Sequence, residues 1–122
     1  MTKYRYLVGF SCLLAIGCTD KSARVTIEQS QVIQKLFESA PQDPDLMDKW
    51  ARSCALCHVN GEGGAPRMGD KETWRPRLAK GEVELYLNTL EGYNRMPPLG
   101  YCMDCEATDF AAMINLMSGR RE

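Results

Sequence analysis

Cys54-Ala55-Leu56-Cys57-His58 contains the only histidine of the chain, and no other feature constrains the fold as tightly. If this segment is helical, Cys57 lies three residues and His58 four residues beyond Cys54, so all three share one face. C-x-x-C-H is the sequence form of a c-type haem attachment site. The two thiols then form thioethers to the haem vinyl groups, and the imidazole below them ligates iron. A bare C-x-x-C also serves zinc sites and dithiol redox centres, so the surrounding sequence has to decide.

The chain has 122 residues and a formal charge of −1, which predicts one small domain after loss of a leader. No basic stripe is present, which argues against a nucleic-acid partner. Lys3 and Arg5 precede an apolar run from Leu7 to Gly17, too short to span a bilayer as a mature helix but right for a signal-peptide core. Residues 1–17 are read as that leader. Leu14-Ala15-Ile16-Gly17-Cys18 resembles a bacterial lipoprotein signal, which implies that Cys18 is exposed by cleavage and lipidated. Ala15 departs from the more usual Leu. Ordinary cleavage with a soluble periplasmic product, or an uncleaved N-terminal anchor, are the alternatives. All three put the domain on the periplasmic side of a bacterial membrane, where disulfides persist and c-type haem is attached.

Residues 18–44 read as a polar tether with breakers at Pro41 and Pro44. Within it Val32, Ile33, Leu36 and Phe37 recur at helical spacing, so Ile27 to Ser39 is expected to form an amphipathic helix, packed on the domain or part of a loose tether. The compact part is read as residues 45–119. Asp45 is the expected N-cap of a helix in which Leu46, Trp50 and Cys54 repeat every four residues and which delivers the thiols. Gly61, Gly63, Gly64 and Pro66 end it in a loop. Asp70 is the expected cap of a short helix through Trp74, broken or bent at Pro76. Val83, Tyr86, Leu87 and Leu90 form a helical stripe closed by Gly92. Phe110, Ile114 and Met117 mark a last helix ending near Gly119. No run reads as a paired strand, so the fold class is all-α. So small a chain buries little apolar area, and a covalently held haem would act as its staple.

With one histidine, a six-coordinate iron needs a second donor of another kind. Thioether sulfur is the leading choice, since His/Met ligation recurs in cytochromes c and raises the reduction potential. Seven methionines compete. Met47, Met113 and Met117 sit at helical positions, Met68 lies in the glycine-rich loop, and Met103 lies between two cysteines. Met96 lies in Asn94-Arg95-Met96-Pro97-Pro98, far enough from His58 for the chain to wrap the haem edge. The two prolines reduce the entropy lost in holding the sulfur on iron.

The order C-x-x-C-H, Gly64-Ala65-Pro66-Arg67-Met68-Gly69-Asp70, Trp74-Arg75-Pro76-Arg77, Met96-Pro97-Pro98, Cys102-x-x-Cys105 and an apolar helix resembles cytochrome c5 of the class I cytochromes c, over residues 45 to 119. The resemblance implies a small all-α fold of three to five short helices around one covalently attached haem c. It implies axial ligands at His58 and Met96 and thioethers at Cys54 and Cys57. Pro66 matches the family proline whose carbonyl takes the hydrogen bond of the proximal imidazole. Trp74 and Arg77 match positions near the haem propionates, where an indole N–H and a guanidinium would stabilise carboxylates. Tyr93 and Tyr101 are candidates for lining the distal side. Cys102 and Cys105 match the family's short disulfide.

For that last pair a redox-active dithiol and half of a zinc site are the alternatives. No strands are found for a thioredoxin-like fold, and the two C-x-x-C pairs stand much further apart than the about 15–20 residues of a zinc ribbon. The reading that follows is a single-haem c-type cytochrome, not an enzyme, carrying one electron at a time between transient respiratory redox partners. The alternative is a haem protein whose methionine ligand is labile and which acts as a peroxidase or gas sensor.

Overall fold

Phe110, Ala111, Ala112, Met113, Ile114 and Met117 are all buried on one short helix, and the rest of the chain is arranged around it. The computed structural model describes residues 21–40 and 44–120. Among these are α1 (Ile27–Ser39), α2 (Pro44–Arg52), α3 (Ala55–His58), α4 (Lys71–Leu78), α5 (Glu82–Glu91) and α6 (Ala107–Ser118). Short 3-10 segments span Lys21–Arg24, Glu62–Gly64 and Pro98–Tyr101. No strand occurs among the described residues, only an isolated bridge between Tyr93 and Met96. The all-α class expected from the sequence is therefore observed.

Helix α6 is apolar nearly all round, as a central helix must be. It is packed by α1, α2, α4 and α5. Its start is closed by a capping box between Glu106 and Asp109, and Gly119 ends it in the left-handed conformation at φ 67°. Burying a side chain such as Phe110 or Ile114 is worth about 1.5–3 kcal/mol relative to leaving it in water.

Helix α1 has the bounds read from its periodicity. Thr26 accepts from the Gln29 backbone N–H, and the Gln29 side chain accepts from the Thr26 N–H at 2.9 Å. This capping box starts the helix. Ile33 and Phe37 are buried whereas Val32 is exposed, so the packed stripe is narrower than the sequence indicated. Phe37 meets Tyr86 of α5 edge-on at 6.4 Å. Asn115 of α6 donates to the Phe37 carbonyl at 3.0 Å, satisfying one of the acceptors a helix end leaves open. Of the two readings of residues 27–39, the packed helix is the one observed.

Three local expectations are corrected. Asp45 lies inside the first turn of α2, not at its cap, because Pro44 takes the first helical position with its preset φ. Helix α2 does not run on through the thiols; it ends at Arg52, and a tight turn at Ser53–Cys54 separates it from α3. Helix α4 does not stop at Trp74. It is capped by Asp70 as expected but passes through Pro76 to Leu78. The proline removes only one donor, and the Ala79 N–H still reaches the Arg75 carbonyl at 3.0 Å.

Candidate functional site

The Cys57 and His58 N–H groups both bond the Cys54 carbonyl, at 3.2 and 2.9 Å. One helical turn therefore carries the three motif residues on a common face. Cys54 is buried and Cys57 half-buried, and neither is in a disulfide. Burial pushes the Cys54 thiol above its ordinary pKa, which keeps it protonated.

His58 Nδ1 lies 2.7 Å from the Pro66 carbonyl. A carbonyl only accepts, so the proton sits on Nδ1 and Nε2 is left with the lone pair. Burial lowers the imidazole pKa; the Pro66 bond opposes this and the Arg77 charge adds to it. The ring is thus held neutral, the form that ligates metals. The loop that brings Pro66 over the ring turns at Gly61, Gly63 and Gly64, all with positive φ. It is tied down by Met68 N–H to the His58 carbonyl at 2.9 Å and Gly69 N–H to the Met117 carbonyl at 2.8 Å.

Trp74 of α4 lies beside His58, but not with its N–H free. The indole donates to the Arg67 carbonyl at 2.8 Å, so a backbone acceptor holds the group that the resemblance places near a propionate. Arg77 is half-buried on the cleft wall and bonds the Thr73 carbonyl. Arg75 is exposed and lies outside that wall.

Met96 is half-buried on the wall of the same cleft, which has a volume of about 330 Å³ and is also lined by Cys54, Cys57, His58, Tyr93 and Tyr101. The Met96 loop is pinned by paired backbone bonds between Tyr93 and Met96, at 3.0 and 2.9 Å. Gly92 has φ 84°, and a Cβ there would lie 2.8 Å from the Met96 carbonyl oxygen. A Cβ on Gly100 would lie 3.5 Å from Met96 Cε and 3.8 Å from Cys54 Sγ. Two glycines therefore allow the loop to close on the cleft.

Cys102 and Cys105 are joined, with Cα atoms 5.4 Å apart, and Cys102 is fully buried. Cys18 lies outside the described residues. Among the other methionines, Met117 also lines the cleft, and Met113 Sδ lies 3.7 Å from Cys54 Sγ. Gly92, Gly100, Lys80 and Asn88 belong to the site and were not singled out as site residues from the sequence. For the two glycines a signal existed in their placement at either end of the Met96 loop; for Lys80 and Asn88 there was none.

The donor set fits haem c: two unpaired thiols, one neutral imidazole oriented by a carbonyl, and the thioethers of Met96 and Met117 share the wall of an otherwise largely apolar cleft.

No protein-family model matches the chain. It is 42% identical over 74 residues to cytochrome c5 of Azotobacter vinelandii, covering 59% of this chain and 89% of that protein. It is 37% identical over 71 residues to cytochrome c5 of Ectopseudomonas mendocina, covering 57% and 82% respectively. A shorter stretch of 41 residues is 49% identical to cytochrome c-555 of Chlorobaculum thiosulfatiphilum, over 34% of this chain and 48% of that one. A chain from a crystal structure of an electron transfer complex of nitrite reductase with cytochrome c superposes with a TM-score of 0.56 at 37% identity, covering 66% of this chain and 100% of that chain. This chain therefore belongs to the cytochrome c5 family of class I cytochromes c, electron carriers with covalently attached haem c.

Proposed function

We propose that this cytochrome transfers single electrons between respiratory redox proteins on the periplasmic side of the membrane, with His58 and Met96 as axial donors and Cys54 and Cys57 as thioether residues. The observation that carries the reading is the Pro66 carbonyl on His58 Nδ1 at 2.7 Å, in a cleft that Met96 also lines. Bound haem c supplies an iron that changes oxidation state by one electron. The Pro66 bond fixes the tautomer and increases the donor strength of the imidazole. Met96 is a soft, neutral donor, which favours the reduced state. Arg77 and Lys80 on the wall bring positive charge to the cleft, suited to the propionates.

Residues 1–17 are read as a lipoprotein-type signal, Cys18 as the lipid anchor and residues 45–119 as the cytochrome domain, onto which α1 of the 18–44 segment packs. No helix among the described residues is long and apolar enough to cross a membrane. The structural neighbour found with nitrite reductase supports a transient protein partner of the redox class. Small, short-lived contacts are the norm for such encounters.

Two measurements test the proposal. Met96→Ala should keep haem attached, lower the reduction potential and admit carbon monoxide to the ferrous iron. Unchanged axial spectroscopy in that variant removes Met96 from the ligand set. The intact mass of the native mature protein reports haem, cleavage site and lipid together; a mass without acyl chains rejects the anchor at Cys18.

A further inference from the structure

Lys49 and Arg52 sit one turn apart at the end of α2, on the same side of the helix, just before Cys54. Both reach across to the segment that follows the Met96 loop. Arg52 meets Asp104 with two parallel bonds, each 2.8 Å. Lys49 meets Asp109 at 2.7 Å, and Asp109 also accepts from the Glu106 N–H at 2.9 Å. Asp104 lies between the joined cysteines Cys102 and Cys105. That small ring directly follows the turn at Pro98–Tyr101, where a Cβ on Gly100 would come within 4 Å of Met96 and Cys54.

The loop held by this ring is not at rest by itself. Asn94, Leu99 and Tyr101 have φ of 54°, 59° and 66°, the left-handed region that disfavours side chains. Its N-terminal end is fixed by the Tyr93–Met96 bonds and the close approach of Gly92. Its C-terminal end is fixed by the ring, and the ring is fastened to α2 by Arg52.

We propose that Arg52 and Asp104 are positioning residues for Met96: their ion pair joins the segment bearing the thioether cysteines to the segment bearing the distal methionine, and so sets how firmly the thioether stays on iron. The inference rests on Met96 being the distal ligand. Asp104 and Arg52 are both well exposed, and pairs of this kind add little to global stability. Their effect is therefore local, on the hold of the loop, with Lys49–Asp109 as a second fastening beside it.

The test uses the mature haem-loaded protein and imidazole, which competes with the thioether for ferric iron. Arg52→Glu and Asp104→Arg should each increase imidazole affinity roughly two- to fivefold, with the thermal midpoint nearly unchanged. The double charge swap should bring the affinity back to that of the parent. If Asp104→Arg does not mature, Arg52→Gln and Asp104→Asn must each give the same increase. Single variants that bind imidazole like the parent, or a double swap no better than the singles, overturn the proposal. Met96→Ala is the reference and should bind imidazole far more tightly than the parent. Equal binding by parent and Met96→Ala removes Met96 as ligand and overturns both readings; a gain in Met96→Ala with none in the Arg52 variants overturns this one alone.

Discussion

The His58 and Trp74 rings lie nearly parallel, 20° apart in plane and 6.0 Å between centroids, and their N–H groups go to consecutive carbonyls. His58 bonds the oxygen of Pro66 and Trp74 bonds that of Arg67. A two-residue stretch of backbone thus orients both the proximal imidazole and the indole that flanks it. Helix α4 is thereby coupled to the attachment turn without any direct bond between the two side chains.

Trp74→Phe keeps an aromatic face beside His58 but removes the donor to Arg67. Loss of that bond, with some loss of packing, should cost about 1–3 kcal/mol. Haem should remain attached. Chemical denaturation of the loaded protein measures this, and an unchanged midpoint would show that the Arg67 bond does not hold the loop.

Gly92 and Gly81 offer a matched comparison. Both have φ near the same value, 84° and 90°, but a Cβ at Gly81 meets nothing within 4 Å whereas one at Gly92 meets the Met96 carbonyl. Gly81→Ala should cost about 1–3 kcal/mol of backbone strain. Gly92→Ala should cost about 1–3 kcal/mol more by overpacking and should also weaken distal ligation. Equal destabilisation by the two variants would mean that the approach of Gly92 to Met96 is inconsequential.

Asp109 is held below its ordinary value of 3.8. Desolvation opposes this, but the Lys49 ammonium and the Glu106 N–H outweigh it. A carboxylate depressed in the folded state stabilises fully above its unfolded pKa, and that contribution is lost as pH falls through the lower folded value. Asp109→Asn should therefore be less stable than the parent at neutral pH, by about 1 kcal/mol. The difference should shrink below about pH 4. Urea unfolding at neutral pH and in acid tests the sign; a constant gap contradicts it.

Replacing Cys102 and Cys105 by serine should leave haem in place, since Cys54 and Cys57 are separate from the pair. Opening so short a ring should cost about 2 kcal/mol. Absorption spectra and thermal unfolding of the double variant provide the check. Absence of haem would assign this pair a part in attachment.

Much of the architecture was legible because it depends on local pattern. The 3.6-residue recurrence of Ile33, Leu36 and Phe37 located α1, and Gly92 and Gly119 marked the ends of α5 and α6. The attachment motif, Pro66 and Met96 come together at one cleft because their chemistry was encoded as short motifs in order. What stayed hidden depends on distant neighbours. Nothing beside Asp104 or Asp109 in the chain says that Arg52 and Lys49 will face them, and nothing beside Trp74 says that its N–H will meet Arg67. The break after Arg52 and the passage of α4 through Pro76 were likewise invisible, because a helix end is decided by packing as much as by propensity.

Helix α1 has one further consequence. Its Phe37 is buried and its backbone is bonded by Asn115, so the front of the chain is moored to the globule rather than trailing from it. The 3-10 segment at Lys21–Arg24 also packs on α5, with Arg24 reaching Glu91 at 3.5 Å. Cutting the chain back to the start of α2 would therefore strip cover from α5 and α6, on which α1 lies.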